Sequence, residues 1–309
     1  MDTRNDLKTR IEVLKKDREA VILAHNYQIP EVQDLADFCG DSLELARKAK
    51  ESDAEVIVFC GVHFMAETAA ILSPDKTVLL PDEDAGCPMA DMATAADLAR
   101  MKEEHPGAAV VCYVNSTAEV KARSDVCCTS SNAVEVVSRF DESREVIFVP
   151  DRYLGAHVER KTGRKLTLWP GYCPTHARLS SDHIADARNR YPGAPVIVHP
   201  ESRADVCLAA DEVLSTGGMV KFAREAGAKR IVVGTETGLL HRLKKENPGV
   251  EFIPLSDGAV CPNMKLITPE KIMWALEDME PRISVDPEIA RKALVAVERM
   301  LQSPASGAS

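Results

Sequence analysis

Three Cys-Pro pairs, at 87–88, 173–174 and 261–262, hold the clearest chemical promise in this 309-residue chain. With nine cysteines and eighteen prolines in that length, chance would give only about half of one such pair. The three stand 86 and 88 residues apart. A single cysteine reads as a small buried hydrophobe. Cys39, Cys60, Cys112, Cys127, Cys128 and Cys207, inside or beside apolar runs, are read that way. Cys87, Cys173 and Cys261 differ because the same place in a repeat is filled each time. Three thiolates favour a soft metal. Zinc sites usually draw on local C-x2-C pairs and four ligands, and the chain has no C-x2-C. An iron–sulfur cube normally takes four cysteines. Held by three, it keeps one iron open to a substrate oxygen as a Lewis acid, and that is the preferred reading. His176, three residues after Cys173, would complete a zinc tetrahedron, so zinc stays open beside it.

Other groups recur at the same interval. Ser42, Ser130 and Thr216 each end a hexamer that begins with Asp (DFCGDS, DVCCTS, DEVLST) and stand at or just before an expected helix start. A hydroxyl beside free backbone N–H groups makes an anion site, although each alone reads equally well as a helix cap. Gly217-Gly218 after Thr216 permits close backbone approach, as a phosphate requires. The ends of the first apolar runs carry His25 and Tyr27, Tyr113 and Asn115, and His199 and Glu201. His, Tyr and Glu are the usual proton-transfer side chains. His63, His105, His157, His183 and His241 fall outside the pattern and read as surface or helix residues. Thr235 and Glu236 follow a strand without a recognised repeat partner, and no role is assigned to them.

The elements that must position these groups repeat too. Each unit opens with a β-branched run (VILAHN, VVCYVN, VIVHPE), passes through the Asp hexamer, and continues to a third run (EVIVFCG, EVIFVPD, RIVVGTE). A fourth extended run leads into each Cys-Pro. Short Val/Ile-rich runs separated by amphipathic, helix-length segments predict buried parallel strands with helical crossovers. SLELARKAKES, NAVEVVSRF and MVKFAREAG are three of those helices. The expectation is an α/β chain of three similar αβα units, each with a four-stranded parallel sheet, around a pseudo-threefold axis. Approximate boundaries are 1–90, 91–177 and 178–265. Residues 266–309 then hold two helices, starting at Thr268-Pro269 and Asp286-Pro287, and a disordered tail, SPASGAS. Ligands of open parallel sheets bind beyond the carboxyl ends of the strands, and the repeated residues lie there.

Composition narrows the partners. The formal charge is −10, with 45% hydrophobic and 28% charged residues. That balance argues against duplex DNA or an anionic membrane as partner. No apolar run reaches the roughly 18 residues that span a bilayer, and MDTRNDLKTR lacks a signal-peptide core. Nine cysteines in that setting read as reduced thiols in a cytoplasm.

AHNYQ, GDS, AGCPMA, CYVNST, CTSSNA, GYCPTH, VHPES, STGGM and CPNMK, in this order, make the chain resemble the quinolinate synthase family, the A protein of NAD biosynthesis, from about residue 15 to 300. The resemblance implies three αβα domains around a pseudo-threefold axis and a central [4Fe–4S] cluster, with Cys87, Cys173 and Cys261 as ligands and one open iron. It implies condensation of iminoaspartate with dihydroxyacetone phosphate to quinolinate, with loss of phosphate and two waters. His25, Ser42, Tyr113, Asn115, Ser130, His199, Glu201 and Thr216 match the family's substrate-binding positions. Tyr27, His176 and Ser215 match residues that line its active site. Some members carry a C-x2-C-x2-C run at the third ligand; Leu255 and Gly258 stand at the two earlier places here, so no redox disulfide forms there. In the chemistry so implied, Glu201 shuttles protons, His199 and Tyr113 orient or exchange them, and His25 and Asn115 hold carboxylates. A transfer of iminoaspartate from an L-aspartate oxidase is a further expectation. Two rivals are an open-iron hydro-lyase for another carboxylate and a zinc-stabilised binding protein for anionic metabolites.

Overall fold

β-branched residues pack well on a pleated surface, and a run without polar side chains can be covered on both faces. The computed structural model of the chain describes residues 3–302, and the expected disorder of 303–309 falls outside them. The first sheet holds β1 (Ala20–His25), β2 (Phe38–Gly40), β3 (Val56–Cys60) and β4 (Thr77–Leu79), ordered β2-β1-β3-β4. The second holds β5 (Ala109–Tyr113), β6 (Val126–Cys128), β7 (Val146–Val149) and β8 (Thr167–Leu168), ordered β6-β5-β7-β8. The third holds β9 (Val196–Val198), β10 (Glu212–Val213), β11 (Arg230–Gly234) and β12 (Glu251–Pro254), ordered β10-β9-β11-β12. Every pairing within them is parallel. The fold is therefore α/β with three like four-stranded sheets.

The Asp that opens each hexamer sets the register of its sheet. Asp37 Oδ2 accepts the Ile22 N–H at 2.8 Å, Asp125 Oδ2 that of Val110 at 2.7 Å, and Asp211 Oδ2 that of Val196 at 2.7 Å. In return each Asp N–H donates to the carbonyl of the same strand residue. A backbone donor on the side of the first strand that faces the second is thus satisfied the same way three times.

Side chains alternate across the third sheet. Ile197, Ile231 and Val233 join the large shared core, while Val196, Val198 and Val232 pack in a separate core with Leu179, Ile184 and Val206. The closing helices start where proline and a capping side chain predict. Thr268 Oγ1 caps Pro269–Asp278, and Asp286 caps Pro287–Leu301. The last helix packs on the helices His63–Leu72 and Ala118–Lys121 and on β6. Ile71, Ala118 and Ala293 form a small core there, so this helix ties the first unit to the second.

Candidate active site

Each Cys-Pro pair builds the same local structure. Proline has its φ preset for a first helical position and has no N–H to satisfy, so the cysteine before it becomes the N-cap. Cys87, Cys173 and Cys261 cap the short helical turns Pro88–Asp91, Pro174–Ala177 and Pro262–Lys265, with φ/ψ of −133°/107°, −81°/116° and −88°/108°. Each sulfur then faces backbone N–H groups of its own turn: those of Met89 and Ala90, of His176, and of Asn263 and Met264. All three cysteines line one cavity together with residues from the three sheet ends.

These thiols are disfavoured as bare thiolates. Burial pushes Cys87 up to about 12 against its backbone donors, and Glu201 and Cys261 add to the rise. Burial also raises Cys173, helped by Glu201 and Cys87, and burial raises Cys261. Three soft donors that oppose one another's ionisation, each already served by N–H groups, form a set that a cationic iron centre suits.

The sheet ends place the acid–base groups. His25 and His199 end equivalent strands or lie one residue past them, and both rings are held alike. Nδ1 of His25 accepts the Tyr27 N–H at 3.2 Å, and Nδ1 of His199 accepts the Glu201 N–H at 3.4 Å. Each neutral ring therefore carries its proton on Nε2. Burial lowers both to about 3, against the pull of Glu201, so both are neutral near pH 7. His199 Nε2–H donates to Ser130 Oγ at 3.2 Å.

Glu201 is where the second and third units meet. Its Oε1 accepts the Tyr113 hydroxyl at 2.5 Å and Asn115 Nδ2 at 3.5 Å, and its Oε2 lies 2.7 Å from His176 Nδ1. Burial would raise its pKa, yet His176, His199 and the Tyr113 hydroxyl hold it below the usual carboxylate range. Tyr113 is pushed well up, by burial and then by Glu201, and stays a donor. Behind Glu201, His176 Nδ1 is 3.2 Å from Cys173 Sγ, and its Nε2 is 2.9 Å from Thr235 Oγ1, which bonds the Tyr27 hydroxyl at 2.6 Å. Asn115 Oδ1 is buried and has no partner, so an acceptor is left for a ligand inside the cavity.

The hydroxyls sit one step from their expected role. Ser42 and Thr216 are the first residues of their helices, and the caps are Asp41 and Ser215. Ser42 and Thr216 line the cavity. Ser215, buried just before Thr216, uses its hydroxyl oxygen as the cap and accepts the Gly218 N–H at 3.1 Å. Ser130 also lines the cavity but precedes its helix, Ala133–Ser138, by three residues. There Asn132 Oδ1 accepts the Thr129 N–H at 2.7 Å and makes an extra turn.

The family model described as NadA, quinolinate synthetase A protein, matches residues 9–302. This chain belongs to that family. It is 61% identical over 293 residues to the quinolinate synthase of Dehalococcoides mccartyi strain CBDB1, covering 95% of this chain and 97% of that one. It is 54% identical over 301 residues to that of Desulforudis audaxviator, covering 97% and 99%. Against that of Thermus thermophilus it is 54% identical over 292 residues, covering 93% and 94%. The activity is that of a quinolinate synthase, in NAD biosynthesis, and the family's enzymes are [4Fe–4S] enzymes. The hydro-lyase and the metabolite-binding protein are thereby left behind. No helix among the described residues is long and apolar enough to cross a membrane.

The sequence reading left Thr235 and Glu236 without a role, and the quinolinate synthetase A site uses both. Glu236 is buried against the cavity, accepts the Cys261 N–H at 3.2 Å and pairs with Lys265 Nζ at 2.9 Å. A signal was present: Asp151 stands two residues past β7 as Glu236 does past β11, and Asp151 is also fully buried.

Proposed function

We propose that Cys87, Cys173 and Cys261 hold a [4Fe–4S] cluster and that the wall opposite binds iminoaspartate and dihydroxyacetone phosphate. In the same proposal the three units divide near residues 90, 177 and 265. The observation that carries the reading is the junction at Glu201, where groups of the second and third units meet, with Tyr27 of the first linked to it through Thr235 and His176, in the cavity that the three thiols line. When bound, the cluster supplies an iron without a protein ligand, a Lewis acid for a substrate oxygen.

The chain's own residues do the rest. Ser42, Ser130 and Thr216 offer hydroxyls to the phosphate and carboxylates, and His25 Nε2–H and the second Nδ2 proton of Asn115 complete the carboxylate sites, while Asn115 Oδ1 is left to accept from a substrate N–H or O–H. Enclosure of both substrates replaces a bimolecular encounter by an oriented one, which is worth about 7–11 kcal/mol at best. Glu201, ionised at neutral pH, takes a proton from substrate carbon or hydroxyl on a carboxylate oxygen and returns it during dehydration. Tyr113 O–H and His176 Nδ1–H hold that carboxylate in place, and His199 does so through the backbone N–H of Glu201. Tyr27 steadies His176 through Thr235. Iminoaspartate is handed over in the cytoplasm by an L-aspartate oxidase.

A second reading has one specific support. Donor atoms of Cys173, His176 and Glu201 lie within 4.8 Å of one another and would hold a single zinc. That zinc would displace the His176–Glu201 pair. Anaerobic purification separates the two: about four irons and four sulfides per chain support the cluster, and one tightly held zinc on a colourless protein overturns it. Formation of quinolinate from the two substrates without oxygen tests the chemistry. The same assay run with and without an L-aspartate oxidase generating the imine tests the hand-over.

A further inference from the structure

The Thr216 hydroxyl is gripped from behind by a side chain of another unit. Asn26, fully buried one residue past β1, donates from Nδ2 to Thr216 Oγ1 at 2.9 Å. The other end of that amide is fixed by Arg242, whose Nη1 donates to Asn26 Oδ1 at 2.9 Å. The Cys39 thiol approaches the same oxygen at 3.6 Å. Arg242 is itself anchored by Glu246 at 2.7 Å.

These contacts have one chemical consequence. A guanidinium has donors and no acceptor, so only the amide oxygen of Asn26 can face it. The amide nitrogen must then face Thr216, and it too can only donate. Thr216 Oγ1 therefore accepts on that side, and its single hydroxyl proton is left for whatever lies in the cavity. We propose that Asn26 and Arg242 are positioning residues that lock the Thr216 hydroxyl as a donor toward an anionic substrate.

Ser130 is held on the same logic by a different residue. His199 donates from Nε2–H, because its Nδ1 is occupied by the Glu201 N–H. Two of the three cavity hydroxyls are thus approached from behind by donors, as a site for anions needs. Gly217 lets the Thr216 helix come close enough: a Cβ there would meet Asp41 Oδ2 at 2.7 Å.

The inference rests on the reading that Thr216 binds substrate, and Thr216→Ala tests that reading separately: it should raise the KM of one of the two substrates. The positioning role is tested with Asn26→Asp, whose carboxylate accepts the Thr216 proton and draws it away from the ligand. The expected result is a KM about tenfold or more above the parent's, since bonds to charged groups are the strong ones. The effect on kcat should be smaller, and iron and sulfide should stay at parent levels. In a Thr216→Ala background, Asn26→Asp should add less than about twofold, because coupled residues are not additive. Equal cost in both backgrounds would overturn the proposal, since a structural defect would not depend on the hydroxyl. If Asn26→Asp fails to fold, Arg242 decides. Arg242→Gln can present either end of its amide and should raise the same KM, and Arg242→Lys, a donor only, should recover most of the loss. A Gln variant no worse than the Lys variant would sink the idea. If Thr216→Ala leaves both KM values unchanged, the binding reading has failed, which is a different result from additivity.

Discussion

The Cys-Pro turns and the ends of the first strands are both repeated three times, and they repeat differently. At the turns the residue, the cap position and the backbone conformation are all kept. At the strand ends only the backbone level is kept, and the side chains change from His25 and Tyr27 to Tyr113 and Asn115 to His199 and Glu201. The difference follows from what each must hold. Three like donors around one point suit a single metal centre, which asks the same of each unit. Two unlike substrates ask for different groups on each side, so a threefold scaffold has to break its own pattern there. One acid, Glu201, with donors from its neighbours is the result.

The largest effects belong to the uniform region. Replacing Cys87, Cys173 or Cys261 singly with Ala should abolish quinolinate formation and remove the iron–sulfur absorbance. Cys207→Ala, a change in the separate core of the third unit, should leave both. Retention of a full cluster in any of the three variants would end the equivalence of the turns. Next comes the varied region. Glu201→Gln keeps the Tyr113 and His176 partners in reach but cannot take up a proton, so turnover should fall by about 10²–10⁴-fold. Its iron content should match the parent's. Turnover near normal would remove Glu201 from the chemistry and leave the strand ends with binding roles alone.

The two regions were not equally legible. The Cys-Pro turns could be read because their rule is local: proline after cysteine fixes cap and turn within four residues. The same holds for the closing helices at Pro269 and Pro287. Asp37, Asp125 and Asp211 were visible as a repeat, but their task was hidden, since each carboxylate serves a backbone N–H 15 residues earlier. Thr235 was unreadable for a stronger version of that reason. Its partners, Tyr27 and His176, come from 208 and 59 residues away, and only the packed units bring them together. The division of labour between Ser215 and Thr216 was hidden at short range: a cap and a first helical residue differ by one position, and spacing alone does not say which of two adjacent hydroxyls makes the cap.

Acid should reveal the varied region as well. His25 and His199 are lowered by burial to about 3, against about 6.5 in an unfolded chain. Between those values the unfolded state binds protons that the folded state refuses. Stability therefore rises with pH through that window and is lost on acidification. Each ring contributes about 1.4 kcal/mol per pH unit inside the window. Thermal unfolding of the anaerobic protein should fall steadily from about pH 6.5 to 5, and His25→Gln should lessen that slope by one proton. The equivalent strand end in the second unit carries no such ring, so Tyr113→Phe should leave the slope alone. An unchanged slope in His25→Gln would mean that the ring at this strand end takes up its proton in the folded protein.

The smallest effect separates two neighbouring kinds of serine at the helix starts. Ser215 caps its helix through its hydroxyl, whereas Ser42 lines the cavity while Asp41 does the capping beside it. Ser215→Ala should therefore lower the free energy of unfolding by about 1 kcal/mol, with kcat/KM within about threefold of the parent. Ser42→Ala should do the reverse: stability within about 0.5 kcal/mol and kcat/KM down by about tenfold through a lost bond to an anion. Measuring both quantities on both variants matters more than either alone, because general loosening of the site would move them together. If Ser215→Ala cost catalysis as heavily as Ser42→Ala, the cap itself would be setting the geometry of the anion site, and the two helix starts would have to be treated as part of the binding wall.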